Sequence, residues 1–345
     1  MTRSPRATRH AQRLWVVLAA LAGCSDALEQ DTAVGLAVVV LNAGSGDLTL
    51  IDATRLETTT FDVAPGTLTS MAARGSTLLI TLGDADAVQV ATTGAPGTVF
   101  PLATGSGATG VVFDSDSTAW VANPLLNSVT HLDLATGDTA SVAVGVHPWA
   151  LAFADPQVFV VNANRTGGTA TGPGWLTGLT PAGPFVVADS IALTGTNPRH
   201  IVVGDDGFVY VVSQGEPGRA DGRLSVVDPA THAEVAVING LGEAPGPAVY
   251  HPTGRLLIAS PTHGILEANT ATRSLVRGPG AGVRPEGDGV DALALDPRGR
   301  VYAVAARGCG GAPGVVHVLS APPDYRVLET VPVGACPGAA VLAGG

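Results

Sequence analysis

The chain has 345 residues, of which 46% are apolar and only 14% are charged, and its formal net charge is −11. Its 45 Gly and 25 Pro favour short strands joined by many turns over long helices. The acidic balance argues against nucleic acid as a partner, because nucleic-acid binding needs clustered positive charge.

The N-terminus has the parts of an export signal. Four Arg precede a short apolar segment, residues 14–21, which is too short to remain as a membrane-spanning helix. This segment runs into Leu21-Ala-Gly-Cys24. The motif resembles the lipobox of bacterial lipoproteins, in which the Cys becomes the mature N-terminus and carries acyl chains. The alternative is an ordinary secretory signal with an incidental Cys.

The lipobox resemblance divides the chain into a lipoprotein signal peptide (1–23), a lipidated tether (24–34) and a folded domain (35–345). Loss of the signal peptide removes four Arg and no acid, which takes the net charge from −11 to −15. The resemblance implies export and a membrane anchor at Cys24. We expect this anchor at the outer membrane or at the outer face of the cytoplasmic membrane.

Two Cys remain after the lipobox, Cys309 and Cys336. An oxidising compartment makes a disulfide the expected state of such a pair. The sequence has no Cys-x-x-Cys pair, so neither c-type haem attachment nor a zinc or redox site of that kind is predicted.

A short apolar strand opens each unit of a repeat that runs through nearly the whole folded domain. Consecutive copies are 40 to 50 residues apart, which is the period of a four-stranded propeller blade. The copies are Thr69–Ala73, Thr109–Phe113, Trp149–Phe153, His200–Val203, Ala248–His251, Ala292–Asp296 and Gly338–Leu342.

Each unit continues with three more strands and often ends in a connector of the form Gly-x-x-Pro. Its second strands include Trp120-Val-Ala-Asn, Phe159-Val-Val-Asn and Val209-Tyr-Val-Val-Ser. These runs and the connectors resemble the YVTN family of β-propeller repeats over essentially all of 35–343. The resemblance implies the fold and leaves the function open, since one fold serves many functions. The connectors are Gly145–Pro148, Gly195–Pro198, Gly242–Pro245, Gly282–Pro285 and Gly334–Pro337.

The two ends of the domain predict how the ring closes. The domain begins with the second strand of a unit, Gly35–Asn42, and ends with the first strand of one, Gly338–Leu342. Together they complete one blade and remove an exposed sheet edge. We therefore predict an all-β fold, a seven-bladed β-propeller with four-stranded antiparallel blades. Six or eight blades are the alternatives, if the long insertion in blade 4 is misread.

Antiparallel topology sorts the loops onto two faces. The connectors share one face with the loops between second and third strands, and we name it the decorated face. The other turns share the tight-turn face. Insertions 163–173, 214–222 and 307–314 all fall on the decorated face, where loops on a rigid scaffold commonly carry function. Cys309 and Cys336 also fall there, beside the closing seam.

Polar residues on the decorated face are candidates for a site. Asn42, Asn123 and Asn162 each end a second strand, and they either ring the channel mouth or hydrogen-bond nearby backbone to shape the loops. His147 and His200 lie near the starts of inner strands in adjacent blades. They would bind a ligand or transfer a proton, or else they are packed loop residues.

Charged residues on this face also have two interpretations. Arg165, Arg199 and Arg284 would bind an anionic group, or they keep an acidic protein soluble. The acidic run 286–291, which includes Asp288, is a weak candidate for calcium, since calcium needs about six oxygen ligands. No cofactor is predicted otherwise.

The sequence contains no Gly-x-Ser-x-Gly, no His-Glu-x-x-His and no Walker-type loop. We expect a monomeric cell-envelope lipoprotein that uses one propeller face as a binding or scaffold surface for a protein, glycan or small-molecule partner. The alternative is a lyase- or lactonase-like propeller enzyme, with or without a metal, that draws on His147, His200, Asn123, Asn162 and Asp288. A purely structural surface protein is a third interpretation.

Overall fold

Each repeat folds into one antiparallel sheet of four strands, and seven such sheets form a ring. The computed structural model describes residue 1 and residues 35–344 except 182, 184 and 186. Apart from Met1, the described residues belong to one unit, 33–345. Their one helical segment is a 3-10 turn, Pro285–Gly287, and no helix among them is long and apolar enough to cross a bilayer. The predicted signal peptide and tether lie outside the described residues.

The blades are numbered in chain order, and blade 1 combines strands from both ends of the domain. Blade 1 contains β1 (Leu36–Asn42), β2 (Asp47–Asp52), β3 (Thr58–Asp62) and β30 (Pro337–Gly344). Blade 2 contains β4 (Leu68–Arg74), β5 (Thr77–Leu82), β6 (Ala87–Thr92) and β7 (Ala95–Pro101). Blade 3 contains β8 (Val111–Phe113), β9 (Thr118–Asn123), β10 (Ser128–Asp133) and β11 (Thr139–Ala143).

The remaining blades repeat this order of strands, and blade 4 adds a two-stranded hairpin. Blade 4 contains β12 (Pro148–Ala154), β13 (Gln157–Asn162), β16 (Pro173–Leu179) and β17 (Val187–Thr196), with β14 (Arg165–Thr166) and β15 (Thr169–Ala170) in its insertion. Blade 5 contains β18 (Pro198–Val203), β19 (Val209–Ser213), β20 (Gly222–Asp228) and β21 (Ala233–Gly242). Blade 6 contains β22 (Ala248–His251), β23 (Arg255–Ser260), β24 (Gly264–Asn269) and β25 (Ser274–Arg277). Blade 7 contains β26 (Ala292–Leu295), β27 (Val301–Ala305), β28 (Pro313–Leu319) and β29 (Val327–Ala335).

The ring closes through blade 1, as the sequence predicts. β30 is the inner strand of this blade and pairs antiparallel with β1, from Leu36 opposite Gly344 to Asn42 opposite Pro337. β1 pairs on its other side with β2. Closure is therefore a continuous ladder of backbone hydrogen bonds between the two ends of the domain.

Two further links hold the seam between blades 7 and 1, one on each face. On the decorated face the predicted disulfide joins Cys309 to Cys336. On the tight-turn face the carbonyl oxygen of Ala53 accepts hydrogen bonds from Arg300 Nη2 and from Arg298 Nη1, the latter at 3.2 Å. The seam is thus fixed by a covalent bond and by charged donors as well as by strand pairing.

The hydrophobic core lies between neighbouring blades. Second strands are buried on both faces, which explains their nearly continuous apolar runs. In β1, Val38 and Val40 pack into a cluster shared with blade 7, whereas Val39 and Leu41 pack into a cluster shared with blade 2. The apolar second strand therefore recurs in every unit, because each blade packs against a neighbour on both of its faces.

Aspartates in three turns of the tight-turn face hold aromatic residues of the second strands. Each of these aromatic residues is at most 1% exposed, and each donates its polar hydrogen to the aspartate that precedes its strand. A buried polar group needs such a partner. The pairs are Trp120 Nε1 to Asp114 (2.8 Å), Tyr210 Oη to Asp206 (2.6 Å) and Tyr302 Oη to Asp296 (3.4 Å).

The connectors and the loops after second strands share the decorated face, as predicted, and they hydrogen-bond to each other. The backbone N–H of Ala163 donates to the His147 carbonyl at 3.0 Å, and that of Gln214 donates to the Asn197 carbonyl at 3.0 Å. The third connector residue adopts a left-handed φ between 43° and 56° in four connectors. These residues are His147, Asn197, Ala244 and Cys336.

The first glycine of the connector is required by close packing. A Cβ on Gly145 would lie 2.6 Å from Asn162 Cγ, and one on Gly334 would lie 2.6 Å from Asn42 Cγ. Both distances are well inside van der Waals contact, so a larger residue would force the connector away from the end of the second strand. The Gly-x-x-Pro pattern thus reflects loop geometry.

Candidate functional site

Inner strands from all seven blades line one cavity of about 300 Å³ at the centre of the ring. Its wall consists of three rings of residues at equivalent repeat positions. The ring that lies farthest from the decorated face is apolar and includes Met71, Leu151 and Ile201. The middle ring consists of small residues and His200. The outer ring contains Thr69, Thr109, Trp149, Arg199, Pro247 and Gly338.

Blades 4 and 5 place a cluster of three side chains at the cavity mouth, which we name the mouth cluster: His147, Trp149 and Arg199. The Arg199 guanidinium carbon lies 3.6 Å from the centroid of the Trp149 ring, a cation–π contact. The His147 ring stacks on Trp149 with centroids 5.5 Å apart and planes 18° apart. Arg199 Nε also donates to Asn197 Oδ1 at 2.9 Å, so the guanidinium is held in place.

The mouth is electropositive in an otherwise acidic protein. Burial, and then the charge of Arg165, lower the pKa of Arg199 to about 10, so this side chain is still charged at neutral pH. No Asp or Glu is among the residues that line the cavity. Arg199 Nη1 and His200 Nε2 are buried and have no hydrogen-bond partner among the described residues. An unpaired buried donor costs free energy.

The two histidines beside Arg199 are neutral at neutral pH. Burial, then Arg199, lower the pKa of His200 to about 3. Burial, then Arg199 and Arg165, lower the pKa of His147 to about 4. Each therefore has at least one nitrogen able to accept a hydrogen bond.

These pKa values predict that acid destabilises the propeller. Both histidines have folded-state pKa values below their ordinary value of 6.5. The unfolded state therefore binds more protons, and the stability present above about pH 6.5 is lost as the pH falls toward 4. We expect the midpoint of urea unfolding to fall less between pH 7 and pH 4.5 in His200→Gln than in the wild type. Equal falls in both proteins would contradict this assignment.

The three asparagines from the sequence analysis lie between second and third strands, outside the cavity lining. Each is at most 1% exposed, and its Nδ2 donates to a threonine hydroxyl on the adjacent third strand. Asn162 Nδ2 also lies 3.3 Å from the backbone carbonyls of Val160 and Trp175, as the interpretation of backbone hydrogen bonding expects, whereas the threonine contacts were not foreseen. The pairs are Asn42 to Thr49 (2.9 Å), Asn123 to Thr130 (2.8 Å) and Asn162 to Thr177 (2.9 Å).

Asp288 lies at a second cavity of about 240 Å³ beside the disulfide. Its Oδ2 accepts hydrogen bonds from Arg307 Nε at 2.8 Å and from the buried His317 Nε2 at 2.9 Å. Burial raises the pKa of Asp288, but the hydrogen bonds from Arg307 and His317 and the charges of these residues together outweigh it, and the net shift is downward. Asp291 accepts a backbone N–H, and burial raises its pKa. In the described part of the chain, no three His, Cys, Asp or Glu side chains are placed to hold a metal ion.

The other two arginines lie away from the cavity wall. Arg165 is on the β14–β15 hairpin and donates to the Gly168 carbonyl. Arg284 is an exposed connector residue. The structure therefore brings together His147, Arg199 and His200 and separates them from the remaining candidates.

Sequence reasoning missed Trp149 as a site residue. The available signal was the repeat register, because residues at equivalent positions of inner strands form one ring around the cavity. At the position of Arg199 the other units have Thr69, Thr109, Trp149, Pro247, Asp291 and Gly338, so Arg199 is the one basic residue of its ring.

Comparison with known proteins adds support for the fold. No family model and no curated protein matches the sequence. A functionally unknown protein from Desulfotomaculum acetoxidans is similar in structure, with a TM-score of 0.67 and 12% identity over 89% of this chain and 99% of that one. Kuenenia stuttgartiensis hydrazine synthase gives 0.63 and 14% over 77% and 86%. Virginiamycin B lyase from Staphylococcus aureus gives 0.58 and 12% over 76% and 83%. At such identities the likeness shows the propeller fold alone.

Proposed function

We propose that this protein is a lipid-anchored binding protein of the cell envelope, which takes a small molecule into its central cavity from the decorated face. The observation that carries the proposal is the mouth cluster, where the charged Arg199 lines a cavity of about 300 Å³ that has no acidic residue in its wall. This volume is at the lower end of the range for small-molecule sites. The resemblance to the lipobox supports export and anchoring.

Filling the cavity tests this function. Ala248 is a small residue of the middle ring that also packs against the core between blades 5 and 6, and Ala248→Phe adds a bulky ring at the cavity wall. In a thermal-shift screen of a small-molecule library, we expect hits that stabilise the wild type and not this variant. A ligand at a hundred times its Kd adds about 2.7 kcal/mol.

The matched control for this screen is Ala230→Phe, which adds the same ring at an exposed turn between β20 and β21. This variant should respond to the hits as the wild type does. The proposal fails if the same compounds stabilise wild type and Ala248→Phe alike, or if the screen yields no hit that depends on the cavity.

The anchor is tested separately at Cys24. In a diderm bacterial host, the full-length chain should partition with the membrane fraction and incorporate a labelled fatty acid. Cys24→Ala should abolish the labelling and release the protein, because the acyl chains supply the membrane affinity. Membrane association that survives the substitution would contradict the lipoprotein assignment.

A lyase acting in the same cavity is the second candidate. It is favoured by Arg199, whose charge would stabilise negative charge that develops on a bound substrate, with the neutral His147 and His200 beside it. Mass spectrometry of the screen hits after incubation distinguishes the two functions. Hits recovered with unchanged mass indicate binding, whereas products formed by the wild type and not by Ala248→Phe indicate catalysis.

A further inference from the structure

Arg199 sets the charge that the cavity can accept. It is the one residue with a permanent charge among those that line the wall, and the rest of the wall is uncharged. Its ring neighbour Asp291 is turned out of the lining, where it accepts the backbone N–H of Ala306 at 2.8 Å. The cavity therefore presents a single positive charge with no internal counterion.

The guanidinium is oriented for a planar partner. Trp149 covers one face of Arg199 at 3.6 Å, and Asn197 Oδ1 accepts the Nε hydrogen at 2.9 Å. These contacts leave Nη1 buried and unpaired. A guanidinium presents its N–H groups as a flat fork, which matches the two oxygens of a carboxylate.

The wall below Arg199 changes from polar to apolar. His200 Nε2 is the other buried polar atom without a partner at this level, and the remaining middle ring is made of small residues such as Ala150 and Ala248. Deeper in the cavity, Met71, Leu151 and the equivalent residues form an apolar ring. A bound molecule would therefore have its charge near the mouth and its apolar part inside.

From this arrangement we infer that the ligand is a small monocarboxylate with an apolar body, bound with its carboxylate on Arg199 and its body against the apolar ring. This inference rests on the proposed binding function and specifies the chemical class of the ligand. The second basic group near the mouth, Arg165, donates to the Gly168 carbonyl on its own hairpin and is outside the cavity lining. A dianion would therefore lack a second cation within the cavity.

The test compares acids with uncharged molecules of nearly the same shape. Benzoate, benzamide, hexanoate and hexanamide are titrated by calorimetry at pH 7 into the detergent-solubilised full-length protein. We expect at least one acid to bind about tenfold or more tightly than its amide. Hydrogen bonds to charged groups stabilise a complex more than hydrogen bonds between neutral groups, by an amount equivalent to about tenfold in affinity. Arg199→Gln should abolish this preference and leave the affinity for the amide within about twofold.

Two further variants make the result specific. Arg199→Lys retains the charge without the planar fork, and its affinity for the acid should lie between those of wild type and Arg199→Gln. Arg219→Gln removes an exposed charge elsewhere on the decorated face and should bind the acids like the wild type. The Arg199→Lys protein also keeps the test valid if the Gln variant fails to fold.

The possible results distinguish an error in the inferred ligand class from an error in the proposed binding function. Equal affinity for acid and amide, with both lost in Ala248→Phe, overturns the carboxylate and leaves the binding function standing. Phenyl phosphate is titrated beside the four probes as a dianion, and tighter binding of it than of benzoate also overturns the carboxylate. If none of the four probes binds while the library screen yields cavity-dependent hits, the carboxylate inference alone is wrong.

Discussion

Replacing Asp296 by Ala is expected to lower the free energy of unfolding by about 3–5 kcal/mol, the cost of breaking a buried ion pair on one side. The Asp296 carboxylate is fully buried, and Arg300 Nη2 lies 2.6 Å from it with only 15% of its side chain exposed. The same carboxylate accepts the backbone N–H groups of Arg298 and Arg300, each at 3.0 Å. Removing it leaves a buried charge and two N–H groups without their acceptor.

The effect of Asp296→Ala extends beyond the turn that contains Asp296, because Arg300 links this turn to blade 1. Arg300 also donates to the Ala53 carbonyl of blade 1, so its position depends on the carboxylate and in turn supports the seam. Urea unfolding followed by circular dichroism measures the change.

The control is Asp116→Ala, which removes the partner of Arg74 in a pair whose aspartate is 91% exposed. Such surface pairs contribute about 0–1 kcal/mol. Similar losses at positions 116 and 296 would show that the buried pair has no special role in the seam.

Removing the Cys309–Cys336 disulfide is expected to have the second largest effect. The bond spans 27 residues, and a loop of this length restricts the unfolded chain by about 3–4 kcal/mol. The double variant Cys309→Ala, Cys336→Ala should therefore unfold at a clearly lower urea concentration than the oxidised wild type. Because the bond crosses the seam, its loss also removes the covalent link between blade 7 and the connector into β30.

A reductant provides the control for this second experiment. It should lower the urea midpoint of the wild type to that of the double variant, and it should leave the double variant unchanged. A double variant as stable as the oxidised wild type would show that strand pairing and the hydrogen bonds to the Ala53 carbonyl close the ring without the disulfide.

The fold could be predicted from the sequence because every blade makes the same kinds of contact with its neighbours, so the same residue pattern recurs. Each second strand covers two neighbours, so its apolar run recurs. The connectors at Gly145, Gly195 and Gly334 need Gly because Asn or Ser at the end of a second strand lies against it. Gly334 against Asn42 is such a contact. The composite blade was also predictable, because the segments at 36–42 and 337–344 are complementary parts of one unit.

The site was less predictable because its residues are 40 to 50 positions apart and meet only in the ring. Arg199, His147 and His200 were selected by their place on the decorated face, and the structure puts Arg199 and His200 in the cavity wall and His147 against Trp149. Equal weight was given to Asn123, whose side chain instead points to Thr130. No local pattern shows which way such a residue points, and none foretold the contact between Arg199 and Trp149.

The pairing of Leu36 with Gly344 has a practical consequence for how the protein can be held. Both ends of the propeller emerge side by side on the tight-turn face, on the opposite side of the ring from the cavity mouth. An affinity tag, a surface linker or an acyl chain attached to either end therefore leaves the mouth open to solvent. Protein immobilised next to Leu36 or Gly344 is therefore held on the side of the ring away from the cavity.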